Sequence, residues 1–393
     1  MGVGRRVCVG VCTGERSNVE DGPERRNPLG WTLSTLAAQD ADIAQVLILK
    51  HGEASSDFDD LVQRFGSALP IDVEPFDRSV PLGELRNRLF DAAGSGLLYI
   101  LDDDGLLTTP HALSTQVARF ESAEPSIAVL QAPVLRRTLQ PRMVAPDALR
   151  VGRVDADRGE VTFRFDSAIP AVPANGPVPL VDIDHLCLAQ SLLDAPRARD
   201  IGGFTTFPWP AVYGQESELG VRLVADGQRV CFLPDPDTAV VNLKFGAPHW
   251  ATPAADTADA PDTPDTVLPG GVRYSWADGL AAARDETGDE SWSRKASAGF
   301  FADYVSGMGA VFARRGEAGL ERFLVNTARW FVGENRLHHP FVLPIEQAAE
   351  RAAAFADGLG RLTQAGLWRQ NRDWSALVAP ATDITGTDET IWI

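Results

Sequence analysis

LLYILDDDG, residues 97–105, joins an unbroken apolar run to three consecutive aspartates. The apolar part has the length and continuity of a strand buried on both faces, as strands are in a parallel sheet covered by helices. The aspartates then fall at its carboxyl end, which is where open α/β sheets bind ligands. Three adjacent carboxylates repel one another, so the chain carries an electrostatic cost at the mouth of a buried strand. Asp102 and Asp104, two apart on an extended backbone, would share one side while Asp103 points elsewhere. Two hard oxygen ligands so placed suit Mg2+ or Mn2+, and a cation would relieve the repulsion. A solvated acidic turn, or a cap for a helix at Thr109, is the competing reading of the same residues.

The flanking sequence alternates in the same sense. Apolar runs at Val7–Val11, Val46–Leu49, Ile71–Val73 and Ile127–Leu130 read as strands. Between them Leu29–Gln39, Phe58–Phe65, Leu82–Ala93 and Pro110–Phe120 have helical spacing. This alternation predicts an α/β fold with a mostly parallel sheet covered on both faces. Residues 134–180 are rich in Arg, Pro, Gly and Val, and VTFRF is their one clear strand, so they read as a hairpin or an irregular insertion. Order returns with a helix over Leu186–Leu193, a second helix from Glu216 and a strand at Val230–Leu233. ATPAADTADAPDTPDTVLPGG, residues 251–271, has the composition of a linker or loop. Helical patterns follow at Ala296–Arg314, Gly319–Val332 and Ile345–Leu367. The expected organisation is an α/β domain over 1–250, a linker or loop over 251–271 and a helical region over 272–393.

With 393 residues, 44% hydrophobic and 23% charged, the chain can form a normal globular core. Its net charge of −18 argues against nucleic acid and against an anionic membrane surface as partners. An anionic substrate would then need local Arg or Lys groups, or a bound cation. Arg25 and Arg26 in the loop SNVEDGPERRNP either meet such a substrate or face water. Cys8 and Cys12 share one strand-like stretch and are poorly placed for a disulfide, so with Cys187 and Cys231 they read as reduced thiols of a cytoplasmic protein. No stretch reaches the eighteen or so apolar residues of a membrane span.

Two further segments carry polar groups in a suggestive order. LGELRNRLFDAAGSG, residues 82–96, is a helix bearing Arg86 and Asn87 that runs through a glycine-rich turn into the DDD strand. IGGFTTFPWPAVYGQESELGVRLVADGQRVCFLP, residues 201–234, holds a Gly-Gly-Phe turn, an aromatic loop, and then Gly214-Gln215-Glu216 opening a helix that carries Arg222. On their own, Glu216 and Glu218 would complement the dipole at a helix N-terminus. The aromatic loop either packs inward or stacks on a substrate, with Trp209 its foremost candidate.

In this order and spacing, the two segments and the DDD strand resemble the family 2 glycosyltransferases of the GT-A fold. The resemblance runs from the first strand to just beyond residue 240. It implies a Rossmann-like α/β sandwich, a UDP-, GDP- or dTDP-linked sugar as donor, and Mn2+ or Mg2+ as cofactor. Asp102 and Asp104 match the DxD pair that holds the cation on the diphosphate, which leaves Asp103 for the sugar, the ribose or water. Glu216 matches the catalytic carboxylate and Glu218 the next acidic position. Thr13, Glu15 and Arg16 occupy the nucleotide-contacting loop, Arg86 the position near the nucleotide, and Gly203 the glycine turn at the substrate. Asn242 or His249 stands near the place of a further metal ligand.

The chemistry suits these residue types: a cation neutralises the leaving diphosphate, and a carboxylate takes the proton of an attacking hydroxyl. One base opposite the leaving group implies inversion at the anomeric carbon. The chain departs from the family where Lys50-His51 replaces an acidic residue after the second strand, with Glu53 or Asp57 as substitutes, and where Gln215-Glu216 replaces an acidic pair. A retaining glycosyltransferase and a non-catalytic sugar-nucleotide-binding module are the alternatives. The motifs do not name the acceptor, and the helical region would shape its site or join copies of the chain in a homo-oligomer.

Overall fold

The computed structural model describes residues 6–14, 29–51, 56–77, 80–123, 125–136, 149–166, 177–184, 186, 190–209, 214–242, 266–268, 272–274, 298–334, 345, 347–369 and 374. Strands β1 (Val7–Gly14), β2 (Ile43–His51), β3 (Ile71–Phe76) and β4 (Leu97–Asp102) form its parallel half, in the spatial order β4-β1-β2-β3. β5 (Gly105–Leu107) follows the aspartates directly. The main sheet continues beyond β4 with β6 (Val129–Gln131), β10 (Val181–Asp182), β11 (Gln190–Asp194) and β12 (Val230–Phe232), giving the full order β10-β12-β6-β11-β4-β1-β2-β3. β6 and β12 are parallel, β10 is antiparallel to β12, and β11 is antiparallel to both β4 and β6. The fold is therefore α/β with a mixed sheet.

β11 corrects the expected helix over Leu186–Leu193. Its run QSLLD is too short for periodicity to separate strand from helix. Two neighbouring strands decide the matter, and all five of its residues are buried between them.

Continuous apolar runs make sense because both sheet faces are covered. Val7, Val9 and Val11 of β1 and Leu97, Tyr99 and Leu101 of β4 pack with α1 (Leu29–Ala37), α2 (Ser56–Phe65) and α4 (Ala112–Glu121). Cys8 of β1 and Leu98 and Ile100 of β4 point the other way, onto α3 (Leu82–Ala93), α5 (Ala195–Asp200) and α6 (Gln215–Ala225). Alternate residues of one strand thus feed two separate cores. Cys8, Cys12 and Cys231 are free thiols, and Cys187 lies outside the described residues.

Smaller elements surround this frame. β7 (Val134–Arg136) and β13 (Val240–Asn242) join β5 in a three-stranded sheet of order β5-β13-β7. β8 (Leu149–Asp155) and β9 (Glu160–Asp166) form the hairpin expected around VTFRF. β14 (Thr266–Leu268) pairs with β15 (Val272–Tyr274), so part of the expected linker is a strand. Helices α7 (Ala298–Arg314), α8 (Glu317–Asn326) and α9 (Ala348–Gln364) follow, with a π-helical segment, Thr327–Gly333, continuing α8. They build a third core from Phe301, Tyr304, Phe312, Phe323 and Phe331, to which α6 adds Val221. Among the described residues no helix is long and apolar enough to cross a membrane.

One polar clamp fixes the loop after α5 against α3. Asn87 Nδ2 donates to the Phe204 carbonyl at 2.9 Å, and its Oδ1 accepts from the Phe204 amide at 2.7 Å. The turn requires glycine at 203, where φ is +64° and a Cβ would stand 2.3 Å from Asn87 Oδ1. Asn87→Ala removes both bonds and leaves two backbone groups unpaired, so it should cost about 2 kcal/mol. Urea denaturation measures this, and an unchanged midpoint would show that the clamp contributes nothing.

Candidate active site

β4 ends at Asp102, and Asp103 and Asp104 form the turn into β5. The strand alternation expected to put Asp102 and Asp104 on one side therefore stops at Asp102, where the chain turns. Asp104 is buried, whereas Asp102 and Asp103 are half-buried. The Thr13 hydroxyl at the end of β1 donates to Asp103 Oδ2 at 2.6 Å, and Thr32 on α1 donates to the Asp103 carbonyl at 2.7 Å. The middle aspartate thus anchors the turn to its neighbours. Cys12 lies opposite Asp102 across the β1–β4 pairing. Burial pushes its thiol up to about 11, with Asp102 and Asp103 acting in the same direction and Arg86 opposing.

Glu216 enters from the other side, on the first turn of α6. Arg86 Nη1 on α3 meets Glu216 Oε1 at 2.5 Å and donates to Gln215 Oε1 at 3.4 Å. Both ion-pair partners are largely enclosed, with side chains 10% and 17% exposed. Burial alone would lower the pKa of the Arg86 guanidinium, but Glu216, Cys12 and Asp102 together hold it above the ordinary arginine value. Arg86, expected beside the nucleotide, is thus the cation shared by Glu216 and the field of Asp102. Its guanidinium also lies 5.4 Å from the Phe204 ring centre.

Glu218, expected at the substrate, is fully buried. Its Oε1 accepts from Arg222 Nε at 2.8 Å and Arg314 Nε at 2.7 Å, and its Oε2 accepts from the Thr205 hydroxyl at 2.9 Å. Arg222 extends the network to the carbonyls of Ile201 and Gly203. This carboxylate holds framework together. Trp209 is likewise buried, stacked on Phe207 at 4.8 Å within the core of the C-terminal helices, and its indole N–H has no hydrogen-bond partner among the described residues. Lys50 is fully buried, 5.1 Å from the Phe58 ring centre.

Asn242 pairs through its backbone with Gly105, one residue past the aspartates. Glu15, Arg16, Glu53 and His249 lie outside the described residues. Among the described residues no group of three or more His, Cys, Asp and Glu side chains is gathered to hold a metal. The donor chemistry still fits Mg2+ or Mn2+, since such ions need only one or two protein carboxylates when substrate phosphates complete the shell. The acidic turn offers that kind of oxygen.

Sequence reasoning did not find Thr32, Thr205 or Arg314. Their roles depend on residues 71, 13 and 96 positions away, and no local pattern marks them.

No family model matches the sequence, and no curated protein does. Among solved structures, the chain is similar to a mannosyltransferase from Pyrobaculum calidifontis in complex with GDP-Man and Mn2+, with a TM-score of 0.45, 13% identity and coverage of 95% of this chain and 78% of that one. It is similar to GalNAc-T7 with UDP, GalNAc and Mn2+, at 0.44 and 12% identity over 61% of this chain and 44% of that one. It is also similar to S. aureus TarS 1–349, at 0.43 and 12% identity over 93% of each. At such identity the function has to be argued from the site itself.

Because Arg86 is the partner of an enclosed carboxylate, Arg86→Met should cost about 3 kcal/mol, the range for breaking a buried ion pair from one side. The double variant Arg86→Met, Glu216→Gln should lose less than Arg86→Met alone. Urea denaturation of the three proteins checks this, and equal losses would show that the pair is too solvated to matter.

Proposed function

We propose that this protein is a glycosyltransferase that moves a sugar from a nucleoside-diphosphate donor to an acceptor hydroxyl, with Glu216 as the base and with inversion at the anomeric carbon. The observation that carries the reading is the Arg86–Glu216 pair, whose arginine also lies in the field of Asp102. An arginine that pairs with a carboxylate on a helix N-terminus and feels an aspartate at a strand's carboxyl end supports a site at that edge of the sheet.

The residues divide the work as follows. Arg86 occupies Glu216 Oε1, which leaves Oε2 to accept the proton of the acceptor hydroxyl. The acceptor oxygen forms its bond to the anomeric carbon as the bond to the donor phosphate breaks, and the nucleoside diphosphate leaves with the electron pair. Asp102 and Asp104 would hold Mg2+ or Mn2+, with donor phosphates filling the rest of its shell. Bound there, the cation would supply Lewis-acid neutralisation of the leaving diphosphate. Asp103, tied to Thr13 and Thr32, keeps the turn in place. Held by these groups, donor and acceptor meet in a fixed geometry, which itself lowers the barrier.

UDP-, GDP- and dTDP-sugars tested by thermal shift should include one class that stabilises the protein with Mn2+ and not without it. No metal-dependent shift with any of them would sink the reading. With the productive donor, Glu216→Gln should lower kcat by about 10²–10⁴-fold, the usual weight of a general base. Its donor KM should stay within about threefold, since the lost interaction belongs to the transition state. Wild-type kcat in that variant would remove Glu216 from the mechanism.

A further inference from the structure

The first turn of α6 is held by α7 at two points, and Glu216 lies between them. One is a backbone contact at Gly214, which precedes the helix with φ +79°; a Cβ there would stand 2.6 Å from the Gly307 carbonyl oxygen of α7. The other is the ion pair from Arg314, the last residue of α7, to Glu218. Glu216 is two residues from each anchor. Its contact with Arg86 comes from α3, a third direction.

We propose that Arg314 is a positioning residue for Glu216. In this arrangement α7 braces α6, fixing the rotation and height of its first turn so that the carboxylate meets Arg86. The proposal rests on reading Glu216 as the base. Arg222 and Thr205 already satisfy the buried Glu218 carboxylate and tie it to the Gly-Gly-Phe turn. Arg314 adds a second guanidinium on the same oxygen, from a helix outside the sheet domain's own core. What that second cation adds is a fixed distance between α7 and the base-bearing turn. Shifts of an ångström at such a turn suffice to lower a rate by about a hundredfold.

The test compares Arg314→Met, which keeps the aliphatic stem, with Arg314→Lys, which keeps a charged donor. In Arg314→Met, kcat should fall about tenfold with donor KM changed less than about twofold, the pattern of a lost transition-state interaction. Arg314→Lys should recover part of the loss. Amide hydrogen exchange should quicken at residues 214–218 and stay unchanged in β1 and β4. Wild-type kcat in Arg314→Met would overturn the proposal, as would quickened exchange throughout the sheet. If the wild type transfers from none of the UDP-, GDP- or dTDP-sugars, the glycosyltransferase reading falls separately. The exchange measurement then decides the brace by itself, and unchanged exchange at 214–218 overturns it.

Discussion

A single enclosed guanidinium makes the acidic site tenable. The chain carries a net charge of −18, and Asp102, Asp103 and Glu216 all lie within the reach of Arg86 or of its neighbour Cys12. Charges taken out of water need a partner with good geometry, and an unpaired one is strongly destabilising. Arg86 meets that need for Glu216 by direct contact and for Asp102 through the local field. Helix α3 is thereby constrained to pass beneath the end of β4 and the start of α6 together. Asn87, the next residue, uses the same placement to hold the Gly-Gly-Phe turn by its backbone. Two adjacent side chains thus anchor charge and main chain from one helical turn.

The three aspartates divide their labour in a way that their adjacency conceals. Asp103 is committed to framework, with its carboxylate on Thr13 and its carbonyl on Thr32. That commitment ties the end of β1, the start of α1 and the acidic turn into one unit. Asp102 and Asp104 flank it, one half-buried at the end of a strand and the other enclosed in the turn. Thr13 and Thr32 serve Asp103, and Arg86 acts on Asp102 through the local field.

Much of the frame was legible in the sequence, because each residue of LLYIL is buried and its alternate side chains feed two cores. Helix α3 has the limits its spacing indicated, and Gly214 opens α6 as the motif implied. Local pattern also marked Asp102 as the end of a strand and Glu216 as part of the first turn of a helix. Three things were not legible. QSLLD became a strand because two neighbours claimed it, a tertiary choice that overrides a short apolar run. Glu218, with Arg222 four residues on, has the pattern of a solvated helical ion pair, and only the arrival of Arg314 from 96 positions away shows that it is interior. The alternation argument for Asp104 lost its basis because a turn, not a strand, follows Asp102. For QSLLD and Glu218 the deciding contact was non-local.

The reversed direction of β11 alters which parts of the chain can reach the edge of the sheet that carries the aspartates. In a purely parallel sheet, only segments leaving strands arrive at the carboxyl edge. Because β11 runs against β4, Gln190 at its beginning is paired with Leu101, beside the acidic turn, while Asp194 at its end is paired with Leu97 at the opposite edge. β11 therefore begins at the edge of the sheet where the aspartates lie, although a strand of a regular α/β repeat would end there. Changes of chain length just before Gln190 would thus act beside Leu101 and leave the order of the parallel strands intact.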